Sequence, residues 1–148
     1  QAGSYPVEVV DPTILRSTMG AGGSSWALAG GASFTQTFVA VGSGVPRELG
    51  VVMGNNQNPF DCKVAIRIRG VQVHEQVFAG RVQRTSDWAV VFPLSGLTTS
   101  AQAGDEVSFT VTPSSQVGFS AIAFNEVGIS KGTLPGYGSC RAQFYLKA

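Results

Sequence analysis

The sequence predicts an all-β protein, an antiparallel two-sheet β-sandwich of the jelly-roll type, and three observations predict it. Short segments alternate apolar and polar side chains, which gives a strand one buried face and one solvent-facing side. No segment repeats its apolar residues at helical spacing. Turn residues, many of the 19 glycines among them, separate the alternating segments into about eight to ten strands. We expect one domain over residues 1–148.

The N-terminal region is predicted to contribute one edge strand and then a long loop. Residues Tyr5 to Val10 form the strand, which ends at Asp11-Pro12 because proline cannot donate to the next ladder position. The segment GAGGSSWALAGG follows over residues 20–31. It is predicted to be a Gly/Ser loop with a single large residue, Trp26, in its middle.

Two further strands are predicted before the middle of the chain. Phe34 to Val41 places two phenylalanines on one face with Gln36 between them, so burial of that face requires partners for the Gln36 amide. Arg47 to Met53 is the next strand, and the polar loop GNNQNPFD follows it over residues 54–61.

The clearest alternation lies in Cys62 to Arg69. Its apolar side chains face one way, and Lys63, Arg67 and Arg69 face the other. Val71 to Phe78 is expected to pair with it through a turn at Gly70.

The following strand, Asp87 to Leu94, is predicted to point Trp88, Val90 and Phe92 into the core, and Pro93 indicates that it ends there or lies at an edge.

The C-terminal third is predicted to hold a polar connection and three strands. The connection, Ser95 to Glu106, turns at residues 103–105. Val107 to Val111 is half-buried, Phe119 to Asn125 is apolar enough for a central strand, and Ala142 to Lys147 closes the chain.

Charge and hydropathy exclude two classes of partner. Ten basic and nine acidic residues are scattered singly, so the chain lacks the basic stripe that a phosphate backbone requires, and no nucleic acid is expected. No run reaches the roughly 18 apolar residues of a membrane span. The chain begins at Gln1 without Met, which leaves open a processed secreted protein or a domain of a larger one.

Two cysteines, Cys62 and Cys140, lie far apart in the sequence. They can meet only if the last strand returns beside a central one, and a disulfide between them is predicted. The alternative is two buried free thiols in a reducing compartment.

Six segments resemble the carbohydrate-binding-module-like, galactose-binding-type jelly-roll domains of bacterial extracytoplasmic proteins. The similarity covers about three quarters of the chain, in the order of these segments. They are GASFTQTFVA (31–40), RELGVVMG (47–54), CKVAIRIRG (62–70), DWAVVFPLSGL (87–97), AGDEVSFTVTP (103–113) and GYGSCRAQFYLKA (136–148). The resemblance implies a jelly roll, a non-catalytic role, a sugar ligand and an extracytoplasmic location.

Sugar binding needs an exposed aromatic face with amides or carboxylates beside it. The candidate ligand-binding residues are Trp26 and Tyr137 in Gly-rich loops, Asn55, Asn56, Asn58 and Asp61 in the polar loop, and Arg67 and Arg69 for an acidic sugar. Other interpretations stay open. Trp26 can seal one end of the sandwich, the Asn-rich run can be only a turn, and the basic strand face can be only solvated.

No cofactor is expected, and metal chemistry is limited. His74 is the only histidine, which excludes multi-His zinc sites, while a structural calcium would draw on Asp61, Asp87 or Asp105.

Catalysis is not expected, because the only histidine, His74, lies in a strand-like VQVHEQV segment and its neighbour Glu75 points to the opposite face. No two of the five glutamates, Glu8, Glu48, Glu75, Glu106 and Glu126, stand out as a pair.

The sequence therefore predicts a non-catalytic, extracytoplasmic carbohydrate-binding module or accessory domain, whose partners are a glycan and a parent protein. The alternative is a structural or adhesive subunit of a pilus, surface layer or virion, in which the sandwich is a building block of a homo-oligomer.

Overall fold

Twelve β-strands and no helix form the described part of the chain, in a computed structural model that describes residues 13–19, 24–55, 58–83, 88–122, 132–134 and 138–148. The strands are β1 (Ile14–Ser17), β2 (Ser24–Leu28), β3 (Phe34–Val39), β4 (Glu48–Gly54), β5 (Phe60–Ile68), β6 (Val71–Arg81), β7 (Ala89–Pro93), β8 (Glu106–Pro113), β9 (Val117–Ile122), β10 (Gly132–Leu134), β11 (Gly138–Ala142) and β12 (Phe144–Lys147). Within these ranges, no helix has the length and apolarity to cross a bilayer.

The strands pair antiparallel and form the two layers of a β-sandwich, as the alternation predicts. Layer I has the order β10-β3-β8-β5-β6, and layer II contains β1, β12, β4 and β7 together with β9 and β2. Strand β11 joins the layers, because it pairs with β10 through Cys140 and with β9 from Arg141 onward. The jelly-roll subtype of this sandwich stays a prediction.

Phenylalanine rings from the two layers meet in the core. Phe34 of layer I lies 5.0 Å from Phe119 of layer II, and Phe38 lies 5.0 Å from Phe144, measured between ring centroids. All four side chains are buried. Tilted rings at this separation add to the free energy of apolar burial, so these contacts hold the layers face to face.

Gln36 lies between these rings and is fully buried, and its amide has the partners that burial requires. Its Oε1 accepts a hydrogen bond from the Ala142 backbone N–H at 3.2 Å, and its Nε2 donates to the Thr37 carbonyl at 3.4 Å. The amide therefore links β3 of layer I to β11, which continues into layer II.

The Thr18 hydroxyl stabilises the bend between β11 and β12. Its hydroxyl donates to the Ala142 carbonyl at 2.9 Å and accepts from the Phe144 N–H at 2.9 Å. Gln143 separates these two residues at the point where the chain leaves β11. The threonine thus satisfies buried backbone groups that the bend removes from the strand ladders.

The predicted pairing of the Cys62 and Val71 segments is confirmed. Strands β5 and β6 form a hairpin whose two turn residues, Arg69 and Gly70, have φ values of 52° and 79°. Positive φ at both central positions is typical of a tight hairpin turn. Arg69 is therefore a turn residue rather than the last member of the strand's outer face.

The predicted Gly/Ser loop around Trp26 is wrong in part, since Ser24–Leu28 is strand β2, paired along its whole length with β9. The predicted strand Tyr5–Val10 lies outside the described residues.

The predicted disulfide is contradicted, because Cys62 is a free and buried thiol. Strands β10, β3 and β8 lie between β11, which carries Cys140, and β5. At roughly 4.8 Å per strand, the two backbones are separated by about 19 Å. A disulfide needs Cα atoms about 5.5–6 Å apart. Burial raises the pKa of the Cys62 thiol to about 12, so the thiol is protonated near neutral pH.

Candidate functional site

Trp88 is exposed, and its predicted place in the core is wrong. Val90 and Phe92 are buried as predicted, but 60% of the Trp88 surface is open to solvent. The backbone explains the difference. Trp88 has a φ of 66°, in the left-handed region, so the chain is not extended there and the ring does not continue the inward face of β7. A bulky side chain in this region costs about 1–3 kcal/mol, and such strain is concentrated at functional sites.

Two amide-bearing residues lie near the end of β4, the end to which Trp88 is adjacent. Ala89 pairs with Val52, so the preceding residue, Trp88, lies beside the last residues of β4, and Asn55 follows directly after that strand. The Gln83 amide lies against Gly54, so closely that a Cβ on Gly54 would collide with it. We call Gly54, Asn55, Gln83 and Trp88 the Trp88 rim. It combines one open aromatic face with two amide side chains, which can donate to and accept from hydroxyl groups.

Trp26, the aromatic that the sequence favours as a ligand platform, lies in β2 opposite Phe119 and is partly buried. It packs against the core cluster. This packing agrees with the alternative interpretation of Trp26, and its role in ligand binding stays a prediction.

A backbone hydrogen bond joins Asn55 and Asn58. The Asn58 N–H donates to the Asn55 carbonyl at 2.8 Å, which is the short-range closure expected of Asn-rich turns. Asn58 is exposed and Asn55 is half-buried. Asn56 lies outside the described residues, and so does Tyr137.

Asp61 lines an open groove on the outer face of layer I. The groove has a volume of about 330 Å³ and is lined by Gly31, Asp61, Cys62, Lys63, Val77, Thr112, Pro113 and Ser114. We call these residues the Asp61 groove. The Asp61 Oδ1 accepts from the Gly80 N–H at 3.0 Å, and the Asp61 N–H donates to the Ser114 hydroxyl at 3.2 Å. The Gly80 bond thus fixes the carboxylate, and the Ser114 bond fixes the Asp61 backbone, at one end of the groove.

Lys63 lies between Val77 and Thr112 in the strand register, directly across from each. Val77 is 68% exposed. The Thr112 hydroxyl shares a 2.7 Å hydrogen bond with Ser33. The Lys63 ammonium makes neither a hydrogen bond nor an ion pair with any described residue. The groove therefore offers a positive charge beside an open apolar surface.

Arg67 and Arg69 lie at the opposite end of β5, about 20 Å along the strand from Asp61. The Arg69 guanidinium lies 2.5 Å from the Asp105 carboxylate, and its backbone N–H donates to the Glu106 carbonyl. Hydrogen bonding from Gln102 and then the Arg69 partner lower the pKa of Asp105 below its ordinary value. The Arg67 guanidinium donates to the Gly70 carbonyl at 3.5 Å. Arg67 thus contacts the hairpin turn and Arg69 belongs to it, away from the other predicted site residues.

The carboxylates considered for metal binding or catalysis are dispersed. Asp61 and Asp105 lie at opposite ends of the sheet, and the described residues contain no group of three or more His, Cys, Asp and Glu that could hold a metal ion. Glu48, Glu75 and Glu106 belong to β4, β6 and β8, whereas Glu8, Glu126 and Asp87 lie outside the described residues.

Glu48 lies in a small polar cluster on the outer face of layer II. It accepts a 2.5 Å hydrogen bond from the Tyr145 hydroxyl and lies 3.7 Å from the Lys147 ammonium. Desolvation and then the bond to Glu48 raise the pKa of Tyr145 above its ordinary value. The ring of Tyr145 covers Gly50, where a Cβ would collide with it. The cluster therefore has a packing role across β4 and β12.

Sequence reasoning missed Trp88 and Gln83, although one signal was present. Trp88 follows a run of polar residues, QRTSD over 83–87, so it stands at the boundary of its strand and not inside it. Ladder partners on both sides hold a residue in the extended conformation, and a residue at the end of a strand lacks that constraint.

Comparisons with known proteins place the chain in no family. No family model matches it, and neither does any curated protein. An exo-β-1,3-galactanase from Phanerochaete chrysosporium, solved with galactose, shares 11% identity over 88% of this chain and 29% of its own, with a TM-score of 0.40. The Agl-KA catalytic domain shares 14% identity over 68% of this chain and 22% of its own, with a TM-score of 0.35. This chain thus spans less than a third of either enzyme.

A third structure is the carbohydrate-binding module CBM36 in complex with calcium and xylotriose. It shares 17% identity over 92% of this chain and 98% of its own, with a TM-score of 0.31.

Proposed function

We propose that this protein is a non-catalytic carbohydrate-binding domain and that the Trp88 rim contacts the sugar. The observation that carries the proposal is the open, left-handed Trp88, 60% exposed beside two amide-bearing residues. A soluble protein gains no stability from an exposed tryptophan held in a strained conformation. A ligand that covers the ring would offset that cost.

The chemistry of the rim suits a sugar because a pyranose has both an apolar face and polar edges. The indole ring can cover the apolar C–H face, while Asn55 and Gln83 supply donors and acceptors to the hydroxyl groups. We further propose that the domain acts outside the cytoplasm, as an accessory module of a larger glycan-related protein.

The test is a comparison of Trp88→Ala with Val71→Ala, which shortens a side chain of similar exposure at the β5–β6 hairpin. A glycan array of the wild-type protein identifies a ligand, and calorimetry then measures its affinity. Trp88→Ala should weaken binding by at least about tenfold, which corresponds to roughly 1.4 kcal/mol. Val71→Ala should leave binding unchanged. If the wild-type protein binds no glycan, or if Trp88→Ala binds as tightly as wild type, the proposal is wrong.

One observation favours the second candidate, a structural or adhesive subunit. Strand β6 is eleven residues long, and among the described strands it pairs with β5 alone, so it presents a long edge to solvent. Such an edge can add a strand from another chain. Sedimentation over a range of concentrations separates the candidates, because self-association without glycan binding supports only the second.

A further inference from the structure

We infer that the Asp61 groove is a second ligand site, separate from the Trp88 rim, which takes the carboxylated pyranose of an acidic saccharide. The inference rests on the proposed function only for the class of ligand, a saccharide. Its residues lie on the outer face of layer I, whereas the rim lies at the end of β4 in layer II. The two proposals can therefore fail separately.

The size and walls of the groove suit one sugar ring. Its volume of about 330 Å³ lies at the small end of the roughly 300–1,000 Å³ range of ligand pockets. Val77, 68% exposed, forms an apolar wall on the β6 side, and Pro113 and Gly31 line the opposite side. An apolar surface of this kind can contact the C–H face of a pyranose.

The polar groups of the groove are arranged for a ligand with a carboxylate at one end and hydroxyls at the other. Asp61 and Lys63 lie on the same face of β5, two residues and about 7 Å apart. No ion pair joins them, so the Lys63 ammonium is available for an anionic group. A uronic acid matches this span, because its C6 carboxylate lies across the ring from its C2 and C3 hydroxyls.

Asp61 and Ser114 provide the hydroxyl-binding end. Gly80 holds Asp61 Oδ1, whereas Oδ2 accepts no hydrogen bond from any described residue and is free to accept from a sugar hydroxyl. The Ser114 hydroxyl accepts from the Asp61 N–H and retains its own proton for donation. A neutral hexose would leave Lys63 without a counterion, so the groove should favour the acidic sugar.

Lys63→Gln tests the inference, and Arg67→Gln is its matched control. Both residues are exposed, lie on the same outer face of β5, and lose the same charge on substitution. The probes are oligomers of galacturonate, glucuronate and mannuronate, together with the methyl ester of the best-bound oligomer. Calorimetry at fixed ionic strength measures each affinity.

We expect Lys63→Gln to weaken binding of the acidic oligomer by at least about tenfold, and Arg67→Gln to change it by less than about twofold. The methyl ester should bind wild type and Lys63→Gln equally weakly. Equal losses in the two variants would indicate non-specific attraction and overturn the inference, as would an absence of binding of all three acidic oligomers to wild type.

Trp88→Ala distinguishes the inference from the proposed function. If the groove acts alone on the acidic sugar, this variant keeps the Lys63-dependent binding while losing the neutral glycan bound at the rim. Loss of Lys63 dependence with retention of Trp88 dependence overturns only the second site.

Discussion

The segments around the two tryptophans differ in a way that reverses their predicted roles. Trp26 is surrounded by glycine and serine in the sequence, yet it lies in a paired strand and packs against the core. Trp88 begins an alternating apolar segment, yet it is exposed. Both lie in layer II. Trp26 pairs with Phe119, and Phe119 pairs with Met53 of β4. Trp88 lies on the other side of β4, next to β7.

What separates the two tryptophans is the backbone conformation of a single residue. Trp26, Phe119 and Met53 are directly opposite one another on antiparallel strands, so their side chains lie on the same, inner face. Trp88 would extend this row from β7 if its backbone were extended. Its left-handed φ interrupts the alternation instead. Side-chain periodicity therefore predicts burial only where neighbouring strands keep the backbone extended.

The largest expected effect on stability comes from replacing Trp26, the tryptophan that packs against the core. Trp26→Ala should lower the free energy of unfolding by about 2–4 kcal/mol, because it removes a large ring that packs against the core. Urea unfolding followed by circular dichroism measures the change. Trp88→Ala in the same assay should lose less than about 1 kcal/mol. Equal losses in the two variants would contradict the assignment of Trp26 to packing and Trp88 to solvent.

Cys62 is buried and its neighbour Lys63 is exposed. This pair therefore tests the same contrast between buried and exposed residues without a change to either tryptophan. The Cys62 pKa is raised from 9.0 to about 12, so the native state holds a proton that the unfolded chain releases. Stability should therefore fall as the pH rises from about 9 toward 12, by up to about 1.4 kcal/mol per pH unit.

Cys62→Ala should flatten that slope, and urea unfolding at pH 8.5, 9.0 and 9.5 measures it. This range lies below the usual pKa of tyrosine, 10.0, and so limits the contribution of Tyr145, which has the same sign. A slope that is unchanged in Cys62→Ala would show that the thiol does not titrate with unfolding. Lys63→Gln, which alters the neighbouring exposed residue, should leave the slope as in wild type.

A smaller effect is expected when the strain at Trp88 is removed. Residue 88 has a φ of 66°, and glycine is the one residue that adopts this value without a steric penalty from a Cβ. Trp88→Gly also exposes little additional core. The greater flexibility of the unfolded chain offsets part of the gain. The unfolding free energy should stay constant or rise by up to about 1 kcal/mol while glycan binding is lost. A drop of more than about 1 kcal/mol would mean that the ring packs in the folded protein.

The smallest effect on stability is expected from conservative changes that separate the two fluorescence signals. The chain has two tryptophans, so Trp26→Phe retains only Trp88, and Trp88→Phe retains only Trp26. Iodide should quench the emission of Trp88 more strongly than that of Trp26. A glycan bound at the rim should protect Trp88 from the quencher and leave Trp26 unaffected, and the reverse pattern would contradict the proposed site.

The fold was more predictable than the site. Alternation along β5 identifies its buried face because each apolar residue has ladder partners on β6 and β8, which keep the strand extended. The need of Gln36 for internal partners was also evident, and the structure supplies them.

The structure divides the described members of the predicted site between different places. Asp61 lies in a groove with Lys63, which was not among the candidates, and with Thr112 and Val77 from other strands. Arg69 pairs with Asp105 at the far end of the sheet. The residue pattern of β5 alone could not show which end of the strand contributes to a groove, since both ends carry basic side chains on the same face.

The sequence by itself determined that the chain is all-β and determined which face of β5 is buried, because a period of two is a local property of an extended backbone. Tertiary structure decided the rest: that three strands separate Cys62 from Cys140, that Trp26 packs while Trp88 is open, and that Asp61 and Lys63 share a groove with residues of β6 and β8. These features depend on strand order and on the backbone torsion of one residue, and alternation carries no information about either.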